Sequence, residues 1–135
     1  MKFSDLIVLG STMISLDPTV YLEDGRGCFM GMAAAAKTGA TTCSTPYQIF
    51  SLFPWLKEPQ RRGVHCPGCT MVYPDYANVI SCVCMHVRAH DMTFEQGLKF
   101  VRAIEPNDEC QTVYAFLCPQ RVSRVEETSG TKPVE

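Results

Sequence analysis

Cys66, Cys69, Cys82, His86 and His90 are the residues whose types and spacing can do chemistry in this chain. Thiolate and imidazole are preferred zinc ligands, and four of them in a tetrahedron close a structural site. Cys66-Pro67-Gly68-Cys69 brings two thiols to one side of a tight knuckle, and Pro67-Gly68 suits that turn. Cys82 and His86 are four residues apart, as are His86 and His90, so on a helix each pair shares a face. On that reading Cys66, Cys69, Cys82 and His86 form the expected ligand set, and His90 is the rival for the last place. Cys84 then points about 200° around the helix from Cys82, away from the ion. A strand over the same stretch would instead put Cys82, Cys84 and His86 on one face. Zinc fits either reading, and the ligands that complete the site stay open at this point.

The order Cys66-x2-Cys69, twelve residues, Cys82-x3-His86 resembles a Cys-Cys-His-His zinc finger with cysteine in place of the first histidine. Val64, Tyr73 and Val79 stand where such a finger carries apolar residues, and the resemblance covers Val64 to His86. The chain is also similar to a group of small uncharacterised bacterial proteins. The residues that carry this likeness are Leu9-Gly10-Ser11, Gly27-Cys28-Phe29-Met30-Gly31-Met32-Ala33, Cys66-Pro67-Gly68-Cys69 and His90-Asp91-Met92-Thr93-Phe94-Glu95-Gln96. The group implies a histidine about five residues before His90, where this chain has Met85. It implies no activity.

Other chemistries compete for the same residues. Buried free thiols beside ordinary surface histidines are the bland reading, because cysteine is a good small core residue. A redox pair at Cys66/Cys69 would sit between a strand and a helix N-terminus. Here Arg61-Arg62-Gly63 precedes the pair, and Thr70-Met71-Val72-Tyr73-Pro74 after it is no helix start. An iron–sulfur cluster would take Cys66, Cys69, Cys82 and Cys84. Haem attachment fails, because Thr70 stands where a histidine is required. A catalytic zinc keeps an open position and usually a carboxylate base. Asp75 is the only carboxylate between Cys66 and His90.

These residues therefore favour a zinc-stapled structural or interaction module, a subunit or accessory of a larger assembly with a protein partner or a second copy of itself. The alternative is a thiol redox or metal-dependent enzyme using Cys66/Cys69. Sequence-specific nucleic-acid binding is not expected. Pro74-Asp75-Tyr76-Ala77-Asn78, where a DNA-reading finger carries basic side chains, has none, and net charge is -2.

The elements that must position these ligands are legible in outline. The chain has 135 residues, 46% hydrophobic and 19% charged, which fits one domain with a real core. We expect an α+β fold, mainly helical, over residues 1–120. Residues 1–56 form its helical part, 64–106 its zinc-binding part and 121–135 a flexible tail. Helices are expected near 4–15, 27–38, 46–53, 76–89 and 94–104, with short strands at Val20–Leu22 and Thr112–Leu117. Thr45-Pro46 and the pair Thr93/Gln96 are helix-start signals, and Gly39 suits a helix stop. Gly31 and the alanines after it allow another element to approach closely. Met30 and Met32 read as core, and Trp55 as edge of core or partner anchor.

There are eight cysteines, and four of them fall with all three histidines between His65 and His90. A secreted disulfide scaffold would be smaller and would carry a signal peptide. Asp5 interrupts the apolar run near the start, and no small-residue cleavage site follows it. A soluble, cytoplasmic protein with no membrane span is the expectation.

Overall fold

Phe3, Leu6, Ile7 and Gly10 recur at helical spacing, and all four are buried on one face of the first helix, α1 (Phe3–Gly10). The computed structural model describes residues 1–60 and 63–106. Phe3–Ile104 forms one unit, within which everything below lies. Outside it, Met1, Lys2, Glu105 and Pro106 belong to no helix or strand. The strand expected at Thr112–Leu117 and the tail expected over 121–135 lie outside the described residues.

The helix α1 is shorter than the expected span of 4–15. The Ser11 and Thr12 hydroxyls donate to the carbonyls of Val8 and Leu9, each at 2.6 Å, and compete with continuation of the helix. The chain then turns, and Ser15–Leu16 becomes a strand, β1. Leu22–Glu23 (β2) and Arg26–Gly27 (β3) form a hairpin, and β1 pairs parallel to β3, giving the order β1-β3-β2. The hairpin loop is Asp24-Gly25. Both residues have positive φ, 51° and 76°, the conformation a two-residue hairpin favours.

The second helix, α2 (Phe29–Thr38), is central. Every residue from Phe29 to Ala35 is buried, because α1, α3 and α4 all pack against it. Gly39, at φ 79°, ends it and donates its N–H to the Ala35 carbonyl at 2.7 Å. The third, α3 (Pro46–Leu52), has proline in its first turn, and the Gln48 side chain accepts from the N–H groups of Ser44 and Thr45. A 3-10 turn, Pro54–Lys57, follows. Trp55 is 7% exposed and packs edge-on against Phe3 at 5.2 Å, so it is core.

Two further helices complete the unit. The first, α4 (Tyr76–Arg88), is capped by Asp75, whose carboxylate accepts the Asn78 N–H at 2.9 Å. It forms although Val79, Ile80, Val83 and Val87 are β-branched, since all four are buried and packing outweighs propensity. The second, α5 (Phe94–Ile104), opens on the expected capping box. Thr93 N–H donates to Gln96 Oε1 at 2.8 Å, and Gln96 N–H to Thr93 Oγ1 at 3.0 Å.

Candidate metal centre

The knuckle is built by backbone hydrogen bonds. Cys66 N–H donates to the Met71 carbonyl and Cys69 N–H to the Cys66 carbonyl, both at 3.2 Å, while His65 and Val72 form an antiparallel bridge. This small hairpin aims two sulfurs the same way. The Gly68 N–H also points at Cys66 Sγ, 3.4 Å away. Opposite the knuckle lies α4. Its apolar side faces the core, and Cys82 and His86, one turn apart, occupy the partly buried side.

The structure thereby brings Cys66, Cys69, Cys82 and His86 into one group, with one ligand atom from each lying within 4.8 Å of the others. Cys69 Sγ and Cys82 Sγ are 3.7 Å apart. A tetrahedron with metal–sulfur bonds of about 2.3 Å has sulfur–sulfur edges of about 3.8 Å, so this edge needs almost no adjustment to take an ion.

The remaining candidates are placed elsewhere. His90 is not in this group. It follows the end of α4 in a left-handed conformation, φ 68°, and is exposed. Cys84 lies on the opposite face of α4, fully buried, where its sulfur accepts the Phe29 N–H at 3.2 Å. Because Tyr76–Arg88 is helical, the strand arrangement of Cys82, Cys84 and His86 does not occur. The four-cysteine set that an iron–sulfur cluster would need is not assembled either.

Asp91 is a participant that the ligand spacing does not reveal. The turn at His90 folds the chain back, so the Asp91 N–H donates to the His86 carbonyl at 3.3 Å. The Asp91 carboxylate then accepts from His86 Nδ1, at 3.1 and 3.3 Å to its two oxygens. With Nδ1 engaged, Nε2 is the ring nitrogen left for a metal. Gly68 lies flat against the same ring: an added Cβ there would come within 2.7 Å of His86 Cγ. The ring is thus fixed from two sides, by the knuckle and by the turn after α4.

The electrostatics of the cluster follow from burial and from the hydrogen bonds among its members. Burial pushes the Cys66 thiol up to about 12. The N–H of Met71, followed by His86, brings Cys69 down to about 7. His86 is raised, first by Cys69 and then by Asp91. The hydroxyl of Tyr73, hydrogen-bonded to Cys82, is pushed up to about 12. A bound divalent ion would reverse the Cys66 shift, since a coordinating thiol is deprotonated outright.

Fold and site together define a class: an α+β protein, mainly helical, whose cluster of three cysteines and one histidine can hold a metal ion. No helix among the described residues is long and apolar enough to cross a membrane. Comparison with protein-family models, curated proteins and solved structures finds no match.

Proposed function

We propose that this protein binds one zinc ion as a structural staple and serves as an interaction module, a subunit or accessory of a larger assembly. The observation that carries the reading is the convergence of Cys66, Cys69, Cys82 and His86 from a knuckle and a helix onto one point. Three thiolates and an imidazole in tetrahedral arrangement select zinc among the common divalent ions. Asp75, the nearest carboxylate in sequence between the two halves of the site, caps α4 with one oxygen and pairs with Lys57 at 2.9 Å through the other. It is engaged in structure rather than held ready as a base. A redox role for Cys66/Cys69 is less well supported, because α4 begins only at Tyr76 and no helix N-terminus follows Cys69. The partner half of the proposal rests on Met71 and Val72 of the knuckle and Met85 of α4, which are 54%, 57% and 60% exposed around the ligands.

Elemental analysis of purified protein tests the zinc reading. One equivalent of zinc is expected in the parent, in His90→Ala as much as in the parent, and none in His86→Ala after dialysis. Absence of zinc from the parent after expression in zinc-supplemented medium would overturn the reading. Loss in His90→Ala with retention in His86→Ala would overturn only the ligand assignment.

Asp91→Ala is expected to weaken zinc binding by about 10–100-fold, because the ring it orients is freed. Competition against a metallochromic chelator reads this directly. Asp91 is 62% exposed, so stability of the metal-free protein should barely change. Unchanged affinity would remove Asp91 from the site.

A further inference from the structure

A cavity of about 550 Å³, open to solvent, lies where the end of α4 meets β1 and the start of α5. None of Cys66, Cys69, Cys82 and His86 lines it. Its apolar walls are Leu16, Val87, Met92 and Phe94. Val87 and Met92 are buried, and Phe94 is braced edge-on against Phe29 at 5.4 Å, so these walls belong to the packed core. Arg88, His90 and Thr93 complete the lining, and each has a donor to spare. The Arg88 guanidinium donates through Nη1 to the Leu16 carbonyl at 3.2 Å, a bond that fixes it between α4 and β1. Its other N–H groups are left over, and no carboxylate among the described residues pairs with it. The left-handed turn at His90, φ 68°, sets its ring on the cavity rim, with no side-chain partner among the described residues. Thr93 Oγ1 accepts the Gln96 N–H and keeps its own O–H to donate. Nearby carboxylates are engaged elsewhere. Asp91 faces His86, and Asp17, next to Leu16, is held by Thr19 and Arg26. Among the described residues no carboxylate lines the cavity.

We propose that this cavity between α4, β1 and α5 binds a small organic acid, its carboxylate on Arg88, His90 and Thr93 and its apolar body against Leu16, Val87, Met92 and Phe94. The volume falls within the range of small-molecule sites, about 300–1,000 Å³, and a few polar groups set among apolar walls are their usual make-up. The planar fork of an arginine matches the two oxygens of a carboxylate. A cation would meet Arg88 with nothing to neutralise it. A neutral apolar molecule would cover the three donors without pairing them, at a cost in affinity. A bare inorganic anion would leave the four apolar walls in water. The site shares no side chain with the metal cluster, so it stands or falls apart from the zinc reading.

The test titrates the full chain, as purified and at neutral pH, with benzoate, benzamide and inorganic phosphate, following backbone amides by two-dimensional NMR. Benzoate is expected to give saturable shifts centred on Leu16, Val87, Met92 and Phe94, with a Kd near or below about 1 mM. Benzamide and phosphate should each bind at least about tenfold more weakly, since one lacks the charge and the other the apolar body. Arg88→Gln should weaken benzoate binding by about tenfold or more. His90→Asn keeps a residue that tolerates the left-handed turn, and it should cost about threefold. No saturable shift with benzoate would overturn the proposal, as would shifts centred elsewhere. Equal binding of benzamide or of phosphate would overturn it too, and so would unchanged affinity in Arg88→Gln. If Arg88→Gln does not fold, the three probes on the parent chain and His90→Asn decide.

Discussion

Cys66→Ser is expected to lose bound zinc and most of the protein's margin of stability. Cys66 is fully buried at the centre of the knuckle. Serine there supplies no thiolate, and three remaining ligands hold zinc far less tightly. On the proposed reading zinc would bind the folded site in preference to the unfolded chain, so its removal would cancel a linkage term. With free zinc a thousandfold above the dissociation constant, that term is about 4 kcal/mol. For a domain of this size it corresponds to a fall in Tm of roughly 15–30 °C. Burying an unpaired hydroxyl would add about 1–3 kcal/mol. Two controls separate the metal effect from ordinary core damage. A strong chelator should lower the Tm of the parent by a similar amount and leave Cys66→Ser unmoved. Cys84→Ser alters an equally buried cysteine on the ligand-bearing helix, and it should keep its full equivalent of zinc. Equal zinc content and equal melting in the parent and Cys66→Ser would remove the structural staple altogether.

The cluster of Cys66, Cys69, Cys82 and His86 was legible because it depends on two local geometries, the Cys-x-x-Cys knuckle and the one-turn interval on a helix. Neither needs knowledge of the rest of the fold. The helix itself was the weaker inference, since its β-branched residues argue locally for a strand. What settles α4 is the burial of Val79, Ile80, Val83 and Val87, which is a tertiary fact. Asp91 was not legible for a related reason. It reaches His86 only because His90 adopts a left-handed conformation, and no periodicity announces a single positive φ. A carboxylate five residues beyond a helical ligand, just past the helix end, is the signal that could have found it. The first helix was read too long because Met13 and Ile14 continue its apolar spacing. The hydroxyls of Ser11 and Thr12 were the contrary signal. Cys28 and Cys84 were each readable as core. The contact of Cys84 sulfur with the Phe29 N–H at the start of α2 joins positions 55 residues apart and lies outside any local pattern.

Gly31→Ala is expected to destabilise the fold by about 3 kcal/mol, although helix propensity alone argues the opposite. In an exposed helix interior, glycine to alanine gains about 1 kcal/mol. Gly31 lies in the first half of α2, the helix buried on every side. There the chain before β2 crosses so closely that an added Cβ would overlap the Tyr21 carbonyl oxygen and lie 2.8 Å from its carbon. Both neighbours are backbone, so no side chain can rotate away. Nor can this segment retreat freely. Val20 accepts the Cys28 N–H, the Leu22 carbonyl accepts from Cys43, and Tyr21 packs edge-on against Phe50. Relief would come from moving α2 itself, against close packing on every face. Gly39→Ala is the matched control. Gly39 has φ 79° and nothing within 4 Å of an added Cβ, so it tests left-handed strain without any clash. That strain costs about 1–2 kcal/mol. Urea denaturation should therefore place Gly31→Ala below Gly39→Ala, and both below the parent, with little change in slope. A Gly31→Ala midpoint above that of the parent would mean that propensity outweighs the crossing, and that Tyr21 does not approach α2 as closely as the structure has it.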